Sequence, residues 1–301
     1  MTQTTTRSNS AYLGAAYMIG AGAIFAVINT LVQKLTMGYG QTSTTVAFWQ
    51  YFIALLFSLP WVFSRLRSAL STDQIGLHIL RVVLAAAGVQ MWILGLATVP
   101  IWQAIALIMT SPFFVTIGAR LVLGETVTMQ RWLAVLVGFI GGMIILSPWS
   151  DSFTTSALLP VGAALLWALS SLVTKHLTNT EGADTLTLYL LILLTPINAA
   201  LAFGGGFTLT TEMSIWLVIA AGVLTAAAQY ALVKAYSVAD AAYLQPFDHV
   251  KLPFNVLLGW LVFSYLPTGE MWIGTALIFG ASIYLLHQES KIDAQVKAAT
   301  T

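Results

Sequence analysis

Runs of about twenty apolar residues, separated by a few polar or turn-forming ones, follow one another from Tyr12 to Leu286. At 1.5 Å per helical residue each run is long enough to cross a hydrocarbon core of ~30 Å. The pattern predicts ten spans over residues 11–34, 43–64, 73–98, 100–122, 130–148, 155–177, 184–204, 213–236, 239–264 and 268–288. The connections are short and carry turn residues, among them Thr36-Met37-Gly38, Val99-Pro100, Gly124-Glu125-Thr126, Ser147-Pro148, Gly204-Gly205-Gly206 and Leu266-Pro267-Thr268-Gly269. None has room for a separate catalytic or binding domain. The expected fold is an all-α polytopic membrane protein with short polar tails at 1–10 and 289–301.

The pattern also repeats. Asn29-Thr30-Leu31-Val32-Gln33-Lys34 in span 1 reads against Ser170-Ser171-Leu172-Val173-Thr174-Lys175 in span 6. Gln90 of span 3 falls opposite Gln229 of span 8, and Arg131-Trp132-Leu133-Ala134 opposite Met271-Trp272-Ile273-Gly274. The shared offset, about 140 residues, divides the chain into two five-helix repeats, 11–148 and 155–288. Because five is odd, the second repeat must insert upside down relative to the first. Inverted repeats are the architecture from which many carriers build alternating access, one half rocking against the other.

Composition agrees with the pattern. Hydrophobic residues make up 58% of the chain and charged residues 8%, against ~25% charged in a soluble domain. A net charge of +1 without basic runs excludes a nucleic-acid partner. The absence of cysteine removes disulfides, thiolate nucleophiles and cysteine metal sites. The first ten residues, MTQTTTRSNS, read as a cytoplasmic tail and not as a signal peptide. With that tail inside, ten of the twelve Lys and Arg fall at cytoplasmic ends, Lys34 falls outside and Lys251 lies within a span. Cytoplasmic loops retain Lys and Arg, so both tails are expected on the cytoplasmic side, in a bacterial inner membrane.

Ionisable groups inside a bilayer pair with one another or serve a function. Span 9 concentrates them: Asp248, His249 and Lys251, between Pro246 and Pro253. Asp248, Lys251 and Asn255 share one helix face, and Gln245 and His249 an adjacent one. These residues are expected to bind the polar part of a substrate, with His249 able to titrate near its ordinary pKa of ≈6.5 and so to couple protons. An intrahelical Asp248–Lys251 pair that only holds a broken helix in shape is the alternative. Asn29, Gln50, Gln90, Gln103 and Gln229 are further candidates for substrate binding, as amides that otherwise tie helices together. Trp167, deep in span 6, is a candidate for apolar contact with the substrate. Arg81, two turns into span 3, reads as a side chain that snorkels to lipid phosphates. Gly138 and Gly142 are spaced for close helix approach, within the chain or across a homodimer.

No Gly-rich phosphate loop, His-Glu-x-x-His motif or Gly-x-Ser-x-Gly elbow is present, so neither enzyme chemistry nor a metal or other cofactor is expected. No ring of acids suggests a channel. Two stretches resemble the drug/metabolite transporter superfamily, specifically its EamA-type group: SPFFVTIGARLVLGETVTMQRWLAVLVGFIGGMIIL at 111–146 and QPFDHVKLPFNVLLGWLVFSYLPTGEMWIGTALIFGASIYLL at 245–286. Both place Pro, an apolar helix, a Gly-Glu pair, Trp and a Gly-rich helix in the same order, although Tyr265 replaces the acid that Glu125 supplies. The resemblance implies a ten-helix carrier with peripheral spans 5 and 10 and gating hairpins 3–4 and 8–9. The expected function is secondary transport of a small polar or amphipathic molecule. An amino acid is the leading substrate class, because span 9 offers both signs of charge. A heteroaromatic metabolite such as riboflavin or a nucleoside is the alternative, suggested by the deep aromatics and amides.

Overall fold

The computed structural model describes residues 2–63, 72–99, 101–125, 127–146, 154–207, 212–248, 251–264, 269–277, 279–281 and 283–284. All regular structure among them is helical: α1 (Thr2–Gln33, continued by a wider turn to Gly38), α2 (Ser43–Phe63), α3 (Ile75–Thr98), α4 (Ile101–Ile108), α5 (Ser111–Val122) and α6 (Met129–Leu146) in the first half. The second half holds α7 (Leu158–Leu177), α8 (Ala183–Gly204), α9 (Glu212–Val238), α10 (Ala241–Asp248) and α11 (Lys251–Phe263), and the described residues from 269 to 284 are helical as well, labelled α12. Six of these are long and apolar enough to cross a membrane by length and composition. The shorter ones complete ten spans, α4 with α5 forming the fourth and α10 with α11 the ninth.

Local chemistry explains the ends. Val99 is extended because Pro100 follows it, and a residue before proline is pushed out of the helical region. Gly124 (φ +68°) and Gly206 (φ +88°) take left-handed conformations that let α5 and α8 stop. Two expectations need correction. Span 4 is not one helix: the chain turns at Met109–Thr110 and restarts with Pro112 in the first turn, where its missing N–H costs nothing. And α1 starts at Thr2, inside the segment expected to be a tail, which holds no Gly or Pro to stop it.

Packing obeys an exchange of the two halves. α1 lies along α9, and its counterpart pair, α3 with α7, packs the same way. α2 faces α8 directly. The contacts of α1 with α10 and α11 are mirrored by those of α7 with α4 and α5, and α4 against α11 is mirrored by α5 against α10. Such a set is what two inverted repeats related by a two-fold axis in the membrane plane produce. Small residues permit the closest approaches: a Cβ on Gly95 would sit 3.1 Å from Pro160, and one on Gly222 2.5 Å from Ile53. Among the described residues α6 packs chiefly against α4 and α5, and its Leu133, Leu136, Phe139 and Ile140 are exposed, as suits a lipid-facing helix. Trp216 and Trp272, near span ends, are likewise exposed.

Candidate substrate cavity

A cavity lies between the halves, walled by residues of α1 to α5 from the first and of α7 to α11 from the second. Its two ends differ chemically. Toward the C-terminal end of α3, Trp92 and Trp167 line it with ring centroids 5.8 Å apart, tilted by 54°, together with Asn29 and Gln50. Gly88 makes room for that pair: a Cβ there would stand 2.6 Å from the Trp167 ring. Toward the N-terminal end of α3 the wall is Arg81, Ser170, Ser171, Thr174 and Tyr236. Eleven residues separate Arg81 from Trp92, ~16 Å along the helix axis.

The aromatic end is held by a chain of hydrogen bonds across the repeats. Trp92 Nε1 donates to Asn29 Oδ1 at 3.2 Å, and Asn29 Nδ2 donates to Asn255 Oδ1 at 3.2 Å. Asn255 Nδ2 donates in turn to the Lys251 carbonyl at 2.6 Å. One amide thus ties α1, α3 and α11 together. Gln50 Nε2 donates to Thr225 Oγ1 at 2.9 Å, leaving Gln50 Oε1 buried without a partner. Gln229 lines the cavity and hydrogen-bonds the Tyr51 hydroxyl.

The other end is more polar than the sequence suggests. Arg81 is 1% exposed, which corrects the snorkelling expectation. Its guanidinium donates to Thr174 Oγ1 at 3.3 Å and to the Leu186 carbonyl, while Nε has no partner. Beside it His78 Nε2 donates to Glu181 Oε2 at 2.7 Å, and Thr72 donates to Glu181 Oε1. Glu181, in the turn between α7 and α8, places a negative charge in the neighbourhood of Arg81, whose own hydrogen bonds go to Thr174 and Leu186. Tyr236 hydrogen-bonds Ser171 and Gln245. Lys175 Nζ caps the end of α9 by donating to the carbonyls of Tyr236 and Ala239 at 3.2 and 2.8 Å.

Of the residues singled out from sequence, Asn29, Gln50, Trp167, Gln229, Gln245, Asp248 and Lys251 come together on the cavity wall. Gln245 Nε2 donates to the Ala241 carbonyl at 2.6 Å. Lys251 Nζ lies 2.5 Å from Asp248 Oδ2, so the two charges satisfy each other, and the Lys251 stem packs beside Gly22. Gln90 is a correction: it turns away and donates to Asn198 Oδ1 at 2.8 Å, bracing α3 against α8. Gln103 is half-buried on α4 and is not part of the wall. His249 lies outside the described residues. Arg81, Trp92, Tyr51, Tyr236 and Thr174 were missed as site residues. Only Arg81 carried a sequence signal, a buried charge three residues after His78.

Two half-bundles of matching pattern around a cavity with an apolar wall and a few convergent polar groups define a membrane carrier that works as a secondary transporter, not an enzyme. The chain belongs to the EamA-like transporter family, whose pattern matches residues 12–147 and again 154–286. It is 53% identical to a protein named riboflavin transporter from Rhizobium johnstonii (strain DSM 114642 / LMG 32736 / 3841) over 281 residues, 93% of each chain. A riboflavin transporter of Vibrio cholerae serotype O1 is 50% identical over 281 residues, 92% of this chain and 94% of that one. A protein of known crystal structure, 13% identical, shares the fold with a TM-score of 0.71, over 95% of this chain and 99% of that one.

Proposed function

We propose that this carrier moves riboflavin, or a flavin close to it, across a bacterial inner membrane by alternating access, with both termini in the cytoplasm. The observation that carries the reading is the two-ended cavity. A tilted tryptophan pair with flanking amides suits a planar heteroaromatic ring that has both donors and acceptors. The hydroxyls and guanidinium at the far end suit a polyol chain. The relatives named as riboflavin transporters, at about half identity over nearly the full length, point the same way. The amino-acid reading loses its basis, because the Asp248–Lys251 pair is closed on itself and offers neither charge to a zwitterion. Asn29, Gln50, Trp167, Gln229 and Gln245 are proposed to face the cargo.

Orientation rests on the excess of Lys and Arg on one side. The deciding experiment is counterflow in proteoliposomes preloaded with unlabelled riboflavin. Labelled riboflavin should enter with saturation, whereas labelled amino acids and nucleosides presented the same way should not. Saturable exchange of an amino acid with no flavin exchange would overturn the proposal.

A further inference from the structure

Two buried polar atoms on the cavity wall stand without a partner: the Gln50 Oε1 acceptor and the Arg81 Nε donor. Thr225 Oγ1 donates to the Ala221 carbonyl and so must accept from Gln50, which fixes the orientation of the Gln50 amide and leaves its oxygen bare. An unmet buried polar atom costs free energy, and a cavity wall that keeps two of them is suited to a ligand supplying the complements. The two lie at opposite ends. Gln50 is seven residues into α2 from Ser43, and Trp92 six residues short of the α3 terminus at Thr98; α2 starts on the side of the bundle where α3 ends, so amide and ring pair share a layer. Arg81 lies ~16 Å further along α3, with Thr174 seven residues beyond Trp167 on α7, or ~10 Å.

Resting on the flavin reading above, we infer that the cargo binds in one orientation: its dioxo-pyrimidine edge at Gln50, where the ring N–H meets the bare oxygen, and its ribityl chain toward Arg81, whose Nε donates to a chain hydroxyl. An isoalloxazine ring with its polyol side chain spans a distance of that order. The charges around Arg81 fit a neutral, oxygen-rich group. Glu181 sits in its electrostatic field, held by His78 and Thr72, so the guanidinium is already balanced and offers a strong donor with little net charge. Ser170 and Thr174 donate to the carbonyls of Arg81 and Ser170, at 3.0 and 2.9 Å; Thr174 Oγ1 also accepts from Arg81, which leaves the Ser170 oxygen as the freer acceptor. Arg81 is thus assigned a direct role in recognising the chain, the part of the cargo that a ring-stacking site does not read.

The test compares two competitors for labelled riboflavin counterflow in proteoliposomes: riboflavin, and lumiflavin, the same ring system with a methyl group in place of the ribityl chain. Arg81→Gln should weaken competition by riboflavin about tenfold, the loss of one hydrogen bond from a charged donor, and leave competition by lumiflavin unchanged. Arg81→Lys keeps the charge beside Glu181 and serves if the Gln variant fails to insert; it should show the same selective loss, to a smaller extent. Equal weakening of both competitors, or no weakening of riboflavin, overturns the assignment while leaving flavin transport intact. A wild-type protein that exchanges no flavin overturns both this inference and the function on which it rests.

Discussion

Removing one member of the Asp248–Lys251 pair should be far more damaging than removing both. The Nζ–Oδ2 distance is 2.5 Å, and the two side chains are 18% and 15% exposed. Breaking a buried pair from one side costs about 3–5 kcal/mol, because the survivor is left uncompensated. Residual exposure here lets some water reach that survivor, so the lower end, about 3 kcal/mol, is expected. That is a factor of roughly 150 in the folding equilibrium. Asp248→Asn and Lys251→Met should each show it, the Met keeping the aliphatic stem that lies against Gly22. The double variant should cost only about 1 kcal/mol, so that the cycle gives a coupling of about 5 kcal/mol. Reversible SDS titration of the purified protein in mixed micelles, followed by tryptophan fluorescence, measures all four corners of the cycle. Because the cargo proposed here is neutral, the double variant should also exchange riboflavin with a KM within about threefold of wild type. Additive single effects would refute the pairing argument. A double variant that folds well but moves no flavin would show that the charges meet the cargo.

Three further outcomes follow from the packing. Gly88→Ala should insert normally yet lose most flavin exchange, since its Cβ would drive into the Trp167 ring at 2.6 Å, whereas Gly76→Ala, with nothing within 4 Å, should be silent; overpacking of this kind costs about 1–3 kcal/mol. The Asn29–Asn255 bond should give a coupling of about 0.6–1.7 kcal/mol in an alanine double-mutant cycle in micelles, as intramembrane hydrogen bonds do; zero coupling would mean that each amide finds another partner. A cysteine placed at position 2 or 300 of this cysteine-free chain should resist an impermeant thiol reagent added to the periplasmic side and react after permeabilisation; labelling before permeabilisation would reverse the topology.

Span number, duplication and the polar cluster of span 9 were legible because each is a one-dimensional signal: apolar run length, a constant offset, charges in an uncharged run. What escaped was facing. Asn29 and Ser170 are 141 residues apart, but Gln90 and Gln229 are 139 apart. Two residues on a helix rotate a side chain by about 200°, so the glutamines do not occupy equivalent faces. Gln229 lines the cavity; Gln90 points to Asn198. The residue 141 before Gln229 is Gly88, which packs against Trp167 of the cavity wall. Arg81 was misread for a different reason. Its depth, two turns from the helix start, allows snorkelling equally well, and the groups around it inside, Thr174, Leu186 and the charge of Glu181, come about a hundred residues later in the chain. Only the folded arrangement of α3 against the α7–α8 turn brings them together.

The pairing of every cavity charge has an energetic meaning for the cell. Of the charged residues that line the cavity, Lys251 is paired with Asp248, and Arg81 lies in the field of Glu181, so among the described residues the wall charges are each accompanied by an opposite one. With a neutral cargo, neither the loaded nor the empty protein drags net charge through the bilayer as the halves rock. A potential of 100 mV, worth ~2.3 kcal/mol for each elementary charge moved, therefore does no work on the cycle. Under the flavin proposal, and with no ion moving alongside the cargo, the carrier would equilibrate it across an energised membrane as across a depolarised one. Under the same proposal, net movement would be set by whatever reaction removes the free molecule on the receiving side, by giving it a charge or tying it to a protein.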